Sequence, residues 1–96
     1  MTTLQDVIEF FGAEAQENMC IEECAELIQA INKKHRHLPH NIPEEIADVE
    51  ITLGQVKLIN DCIEEVEQIK GEKLTRLFEM LQGGENNAGN DINATD

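Results

Sequence analysis

Glu45 stands where an amphipathic helix carries an apolar side chain, and this one position restricts what the chain can fold into. At about 100° per residue, Glu45 aligns with Val49, Thr52 and Val56 along the middle of a helical apolar stripe. Asp48 falls at the edge of that stripe, beside Thr52 and Ile59. The preceding helical stretch repeats the arrangement. Glu23 has Met19, Cys20, Leu27 and Ala30 as helical neighbours, with Glu26 one turn on and Glu22 flanking. Two successive helices thus direct a Glu-x-x-Glu pair and a Glu-x-x-Asp pair toward the interior side. A buried carboxylate without a partner is costly and tends to protonate, and four converging ones repel. A cation reconciles them. Donors that are all oxygen select a hard ion, Mg²⁺, Mn²⁺ or Ca²⁺. The spacing alone is common in acidic helices, and Glu64 with Glu67 also fits it. The weight lies in two pairs that both coincide with apolar stripes.

The rest of the chain supports an all-α reading. No segment alternates apolar and polar residues as a half-buried strand would, and Tyr and Trp are absent. Four helical stretches are expected. Residues 3–11 carry Leu4, Val7, Ile8 and Phe11 at helical spacing, and Gly12 ends the run. Residues 13–36 carry a stripe of Cys20, Cys24, Leu27 and Ile31, widened by Ile21 and Ile28. Lys33, Lys34 and Arg36 suit the negative end of that helix dipole. A third helix begins at Pro43, with Glu44 and Glu45 in its first turn, and runs to about Ile59. After a break at Asn60-Asp61, the run Asp61-Cys62-Ile63-Glu64 resembles a capping box opening a fourth helix to about Leu81. Val66, Ile69, Lys73, Leu77 and Met80 share its inner side. Helices three and four form either an antiparallel hairpin or one long kinked helix. Residues 83–96 are rich in Gly, Asn and Asp and are expected to form a disordered tail behind a helical domain spanning 1–82.

Charge narrows the partners. With 20 acidic and 7 basic residues among 96, the formal net charge is −13. That balance disfavours bare nucleic acid and anionic membrane surfaces. It leaves a solvated surface, a cation site or a nucleic-acid mimic. A domain this small buries proportionally little surface, so an oligomer sharing a core is expected. Three cysteines without a secretory signal read as free core thiols in a reducing cytoplasm. No run reaches the ~18 apolar residues of a membrane span. His35, His37 and His40 read as loop residues, since their spacing does not define a zinc site. Phe10, Phe11 and Phe78 read as core, and Gly83-Gly84 lacks the context of a phosphate loop.

The stretch Ile21-Glu22-Glu23-Cys24-Ala25-Glu26-Leu27-Ile28, followed by Glu45-Ile46-Ala47-Asp48-Val49, resembles the MazG-type nucleoside triphosphate pyrophosphohydrolases, especially their compact single-domain phage versions. The resemblance implies a four-helix all-α bundle assembled as a homodimer or homotetramer. It implies Mg²⁺-dependent (or Mn²⁺-dependent) hydrolysis of an NTP or dNTP to the monophosphate and pyrophosphate. Carried over, Glu23, Glu26, Glu45 and Asp48 become the metal ligands. Glu22 becomes a further ligand or, with Glu23, part of the catalytic group that orients the attacking water. Lys73 and Arg76, with Lys70 a turn earlier and Lys33 on the acidic helix, become the cations that face the triphosphate. The competing reading of these cations is ordinary pairing with Glu67, Glu72 or Glu79 on their own helix. The chain lacks the Trp and Tyr that many relatives stack on the base, so no base preference follows. Two other functions fit the same sequence: a catalytically silent module that binds a nucleotide or a cation, and an acidic interaction protein with its carboxylates outside.

Overall fold

A computed structural model describes residues 1–84 of the chain. Its elements are α1 (Leu4–Phe11), α2 (Ala13–His35), α3 (Ile42–Ile59) and α4 (Ile63–Gly84). Among the described residues there is no strand, so the fold is all-α. Among the described residues no helix is long and apolar enough to cross a membrane. Of the segment expected to be a tail, Gly83 and Gly84 belong to α4, and residues 85–96 lie outside the described part.

The chain divides into two compact units, Met1–Asp61 and Cys62–Asp96. In the first, α1 packs on both α2 and α3, and the main interface is α2 against α3. The boundaries follow local chemistry. Thr3 caps α1 in a reciprocal capping box: its hydroxyl accepts from the Asp6 N–H at 3.2 Å, and its own N–H donates to the Asp6 carboxylate at 2.9 Å. Gly12, at φ 98°, breaks the chain between α1 and α2 in a conformation that a side chain would strain. α2 ends in a Schellman motif, with the Leu38 N–H bonded to the Lys33 carbonyl and the His37 N–H to the Lys34 carbonyl. His37 takes the left-handed position, at φ 60°, that Gly usually fills. Asp61, at φ 50°, does the same after α3 and donates its N–H to the Leu58 carbonyl. Asp61 therefore serves the turn, and the competing reading of one long kinked helix gives way to two separate helices.

The packed side of α2 differs from the anticipated stripe. The buried positions are Gln16, Cys20 and Ala30, with Glu23, Cys24 and Leu27 half-buried. Ile31, Ile21 and Ile28 are exposed. The reason is that α2 carries apolar residues on two faces, and α3 covers only the one that includes Glu23. On α3 the stripe is as expected: Val49 and Thr52 are buried and Val56 half-buried, with Gln55 buried as well. α1 contributes Ile8 to the core, and a Cβ placed on Gly54 of α3 would lie 3.1 Å from Leu4 Cδ1, so glycine permits that close approach. Phe10 and Phe11, anticipated in the core, form an edge-to-face pair (centroids 4.8 Å apart, 87°) that stays exposed.

In the second unit no residue of α4 whose burial is described is buried. Val66, Leu77 and Met80 are half-buried, whereas Ile69 and Lys73 of the same side are exposed, and so is Phe78, also anticipated in the core. The three cysteines are free thiols, Cys20 buried and Cys24 and Cys62 half-buried. His35, His37 and His40 are exposed.

Candidate metal centre

The register of α2 against α3 builds the site. Gln16 near the start of α2 bonds Gln55 near the end of α3. Two turns further along α2, and two turns earlier on α3, Glu23 meets Asp48. One turn beyond, Glu26 faces Glu45, on which it exerts the largest charge effect. The helices are therefore antiparallel, and the carboxylates continue the same seam that buries Cys20 and Thr52.

Glu23, Glu45 and Asp48 each place one carboxylate oxygen within 4.8 Å of the other two, and all three residues are half-buried. Oxygens on opposite sides of one hard cation stand about 4–5 Å apart, so this spread suits a single ion. Glu23 Oε1 and Glu45 Oε1 are buried and accept no hydrogen bond among the described residues. Among the described residues no Lys, Arg or His ion-pairs with the cluster. Burial is the first cause that pushes the Glu23 carboxyl above the ordinary carboxylate range, followed by the charges of Asp48, Glu26 and Glu45. Glu45 is raised for the same reasons, burial first, then Glu26 and Asp48, with the nearby Asn41 amide acting in the opposite direction. Two orphaned oxygens, mutual repulsion and an all-oxygen donor set fit a hard divalent cation.

The other sequence-derived candidates fall into three groups. Glu26 is exposed and outside the close triad, yet near enough to raise both Glu23 and Glu45. Glu22 is exposed and outside the cluster, as is Lys33. Lys70, Lys73 and Arg76 lie exposed on α4 in the second unit. Lys70 pairs with Glu67 at 3.3 Å, as ordinary helix-surface pairing predicts. Lys73 and Arg76 have no ion-pair partner among the described residues.

Sequence reasoning missed Gln16 and Gln55. Both are long polar residues, which read as surface by default. The available signal was spacing: each sits one heptad from a carboxylate of the seam, Gln16 from Glu23 and Gln55 from Asp48.

Comparison of the chain with protein-family models, with curated proteins and with solved structures found no match.

Proposed function

We propose that the protein is a metal-dependent nucleoside triphosphate pyrophosphohydrolase, converting an NTP or dNTP to the monophosphate and pyrophosphate in a homo-oligomer. The observation that carries the reading is the pair of buried, unpartnered oxygens on Glu23 and Glu45, converging with Asp48. Glu23, Glu45 and Asp48 would hold Mg²⁺ or Mn²⁺, with Glu26 beside them. When bound, such an ion draws polyphosphate oxygens and lowers the pKa of a coordinated water. The chain's part is to orient the acids: helix packing on the seam fixes their backbones, and Thr52 ties its hydroxyl to the Asp48 and Val49 carbonyls at 3.1 and 3.0 Å, filling the seam beside them. Glu22 remains the acid assigned to the attacking water by resemblance. By resemblance, Lys73 and Arg76, which have no ion-pair partner among the described residues, would neutralise phosphate charge, Arg with a bidentate fork. Lys70 and Lys33 are secondary candidates, Lys70 because it already has a carboxylate partner.

Exposed apolar side chains support the homo-oligomer. The first unit buries only Ile8, Cys20, Ala30 and Val49 among apolar residues, and leaves Phe11 and Ile28 each 60% exposed. A surface of this kind fits association with a second copy. The half-buried position of Glu23, Glu45 and Asp48 weighs against the acidic-mimic reading, which requires them outside.

The test is pyrophosphate release from a panel of ribo- and deoxyribonucleoside triphosphates with Mg²⁺ and with Mn²⁺. Glu23→Gln and Asp48→Asn are expected to lose turnover by more than ~100-fold while keeping their helical circular dichroism. Nucleotide binding by calorimetry with no product on any substrate would replace the enzyme by a silent binding module.

A further inference from the structure

The Gln16–Gln55 hydrogen bond is the one buried polar contact between side chains of α2 and α3 among the described residues. It is short, 2.6 Å from Gln16 Nε2 to Gln55 Oε1, and the two residues are 7% and 4% exposed. It occupies core positions that Leu or Met would fill with more apolar burial. Its placement is specific. Gln16 precedes Glu23 by one heptad and Gln55 follows Asp48 by one heptad, on helices that run in opposite directions. The amide pair and the carboxylate cluster are rungs of one ladder, about 10 Å apart at 1.5 Å per residue.

The intervening apolar rungs do little to choose a register, and the other side-chain link between these segments, Asn60 Nδ2 to Glu17 Oε2 at 3.0 Å, is exposed to solvent. Cys20, Leu27, Ala30, Val49 and Val56 are small or smooth apolar groups. A slide of one turn, about 5.4 Å, would still bring apolar surface onto apolar surface. It would separate Glu23 from Asp48. It would also leave two buried primary amides without partners, a costly state. The native register satisfies them. A single polar residue in an otherwise apolar helix seam sets alignment in this way, at a cost in stability.

We infer that Gln16 and Gln55 are positioning residues: their buried hydrogen bond locks the α2/α3 register and thereby sets the spacing of Glu23, Glu45 and Asp48. The inference concerns the same site as the proposed function and rests on that reading for its metal readout. It predicts a split between stability and cation affinity. Removing both amides together leaves no orphan group, so fold stability is kept or raised while the acids lose their alignment.

The experiment compares the wild-type chain with Gln16→Leu/Gln55→Leu in three measurements: thermal unfolding, the backbone amide NMR spectrum, and Mn²⁺ binding by electron paramagnetic resonance. The expected result for the double variant is an unfolding midpoint no lower than wild type, more than one set of amide peaks for α2 and α3 residues, and Mn²⁺ affinity reduced at least ~10-fold. A folded variant with one set of peaks and wild-type Mn²⁺ affinity overturns the inference. If the double variant does not fold, two single variants decide. Gln55→Glu keeps an acceptor for the Gln16 amide and is expected to hold Mn²⁺ affinity within ~3-fold, whereas Gln55→Met removes it and is expected to lose ~10-fold. Equal affinities in the two overturn the inference. Absence of Mn²⁺ binding by the wild-type chain defeats the metal reading by itself. The register claim is then decided by the amide spectra: several peak sets in the double variant support it, and one set overturns it.

Discussion

The two ends of the α2/α3 seam make the same demand and meet it differently. At one end, Gln16 and Gln55 bury neutral amides that satisfy each other. At the other, Glu23 and Glu45 bury carboxylate oxygens that accept no hydrogen bond among the described residues. Both ends lie on one continuous interface, and the helices had the same means of pairing polar groups in both places. The amide end is closed by the chain's own chemistry, and the carboxylate end keeps two buried oxygens without a hydrogen-bond partner among the described residues. The contrast also separates two costs. A neutral buried amide needs one partner, whereas clustered anions need opposite charge.

The largest effect should come from breaking the carboxylate end directly. Exchanging Glu45 for Gln is expected to weaken Mg²⁺ and Mn²⁺ binding by ~100-fold or more, read by calorimetry or by Mn²⁺ paramagnetic resonance. Wild-type affinity in this variant would remove Glu45 from the site.

Stability against pH sharpens the comparison next. Glu23 and Glu45 both have carboxyls raised above their unfolded value by burial first and neighbouring acids second. A raised carboxyl means that the folded state binds protons more tightly than the unfolded state. Its contribution is fully present below the ordinary carboxylate pKa of 4.5 and is lost as pH rises through the raised folded value. With chelator present, unfolding midpoints should therefore fall as pH climbs through the window above 4.5. Glu23→Gln should flatten that fall. Millimolar Mg²⁺ should reverse it, because a cation binds the ionised cluster of the folded state. A chelated protein whose midpoint rises monotonically from pH 4.5 to neutrality would contradict the buried-cluster account.

At the amide end, a single Gln16→Leu change strands the Gln55 amide in the seam. Its expected cost is about 1–3 kcal/mol by denaturant unfolding, while Gln16→Leu/Gln55→Leu recovers most of it. Equal losses in the single and double variants would show that volume, and not an orphaned amide, sets the energy.

The smallest effect lies outside the seam, where backbone geometry alone is in question. His37 holds the left-handed position after α2, so His37→Gly should stabilise the chain by ~0.5–1 kcal/mol in chemical denaturation without altering metal binding. A loss of stability there would mean that the His37 side chain contributes contacts beyond its turn.

Much of this was legible in the residues themselves. Helical periodicity located all four helices, because apolar spacing and the breakers Gly12 and Asn60-Asp61 act locally. The same periodicity placed Glu45 and Asp48 on the packed side of α3 and Glu23 on that of α2, since a helix face follows from residue number alone. It did not choose between the two apolar faces of α2, and so Ile21, Ile28 and Ile31 were anticipated inside and proved exposed. Phe10, Phe11 and Phe78 were misplaced for a related reason: hydrophobicity says that a side chain favours burial, not that a partner surface is available within one chain.

The sequence by itself thus determined the helices, their acidic load and the faces of Glu23, Glu45 and Asp48, all properties of 3.6-residue periodicity and local backbone preference, whereas Glu26, expected on the interior side, is exposed. Only the tertiary structure decided which faces meet, in which register, and which polar atoms are stranded. Those outcomes depend on pairing between residues distant along the chain, as between Gln16 and Gln55 or Glu23 and Asp48. Glu45 shows both halves of that division. Its place in an apolar stripe was written in its spacing, and its unpartnered oxygen exists only because α2 packs against it.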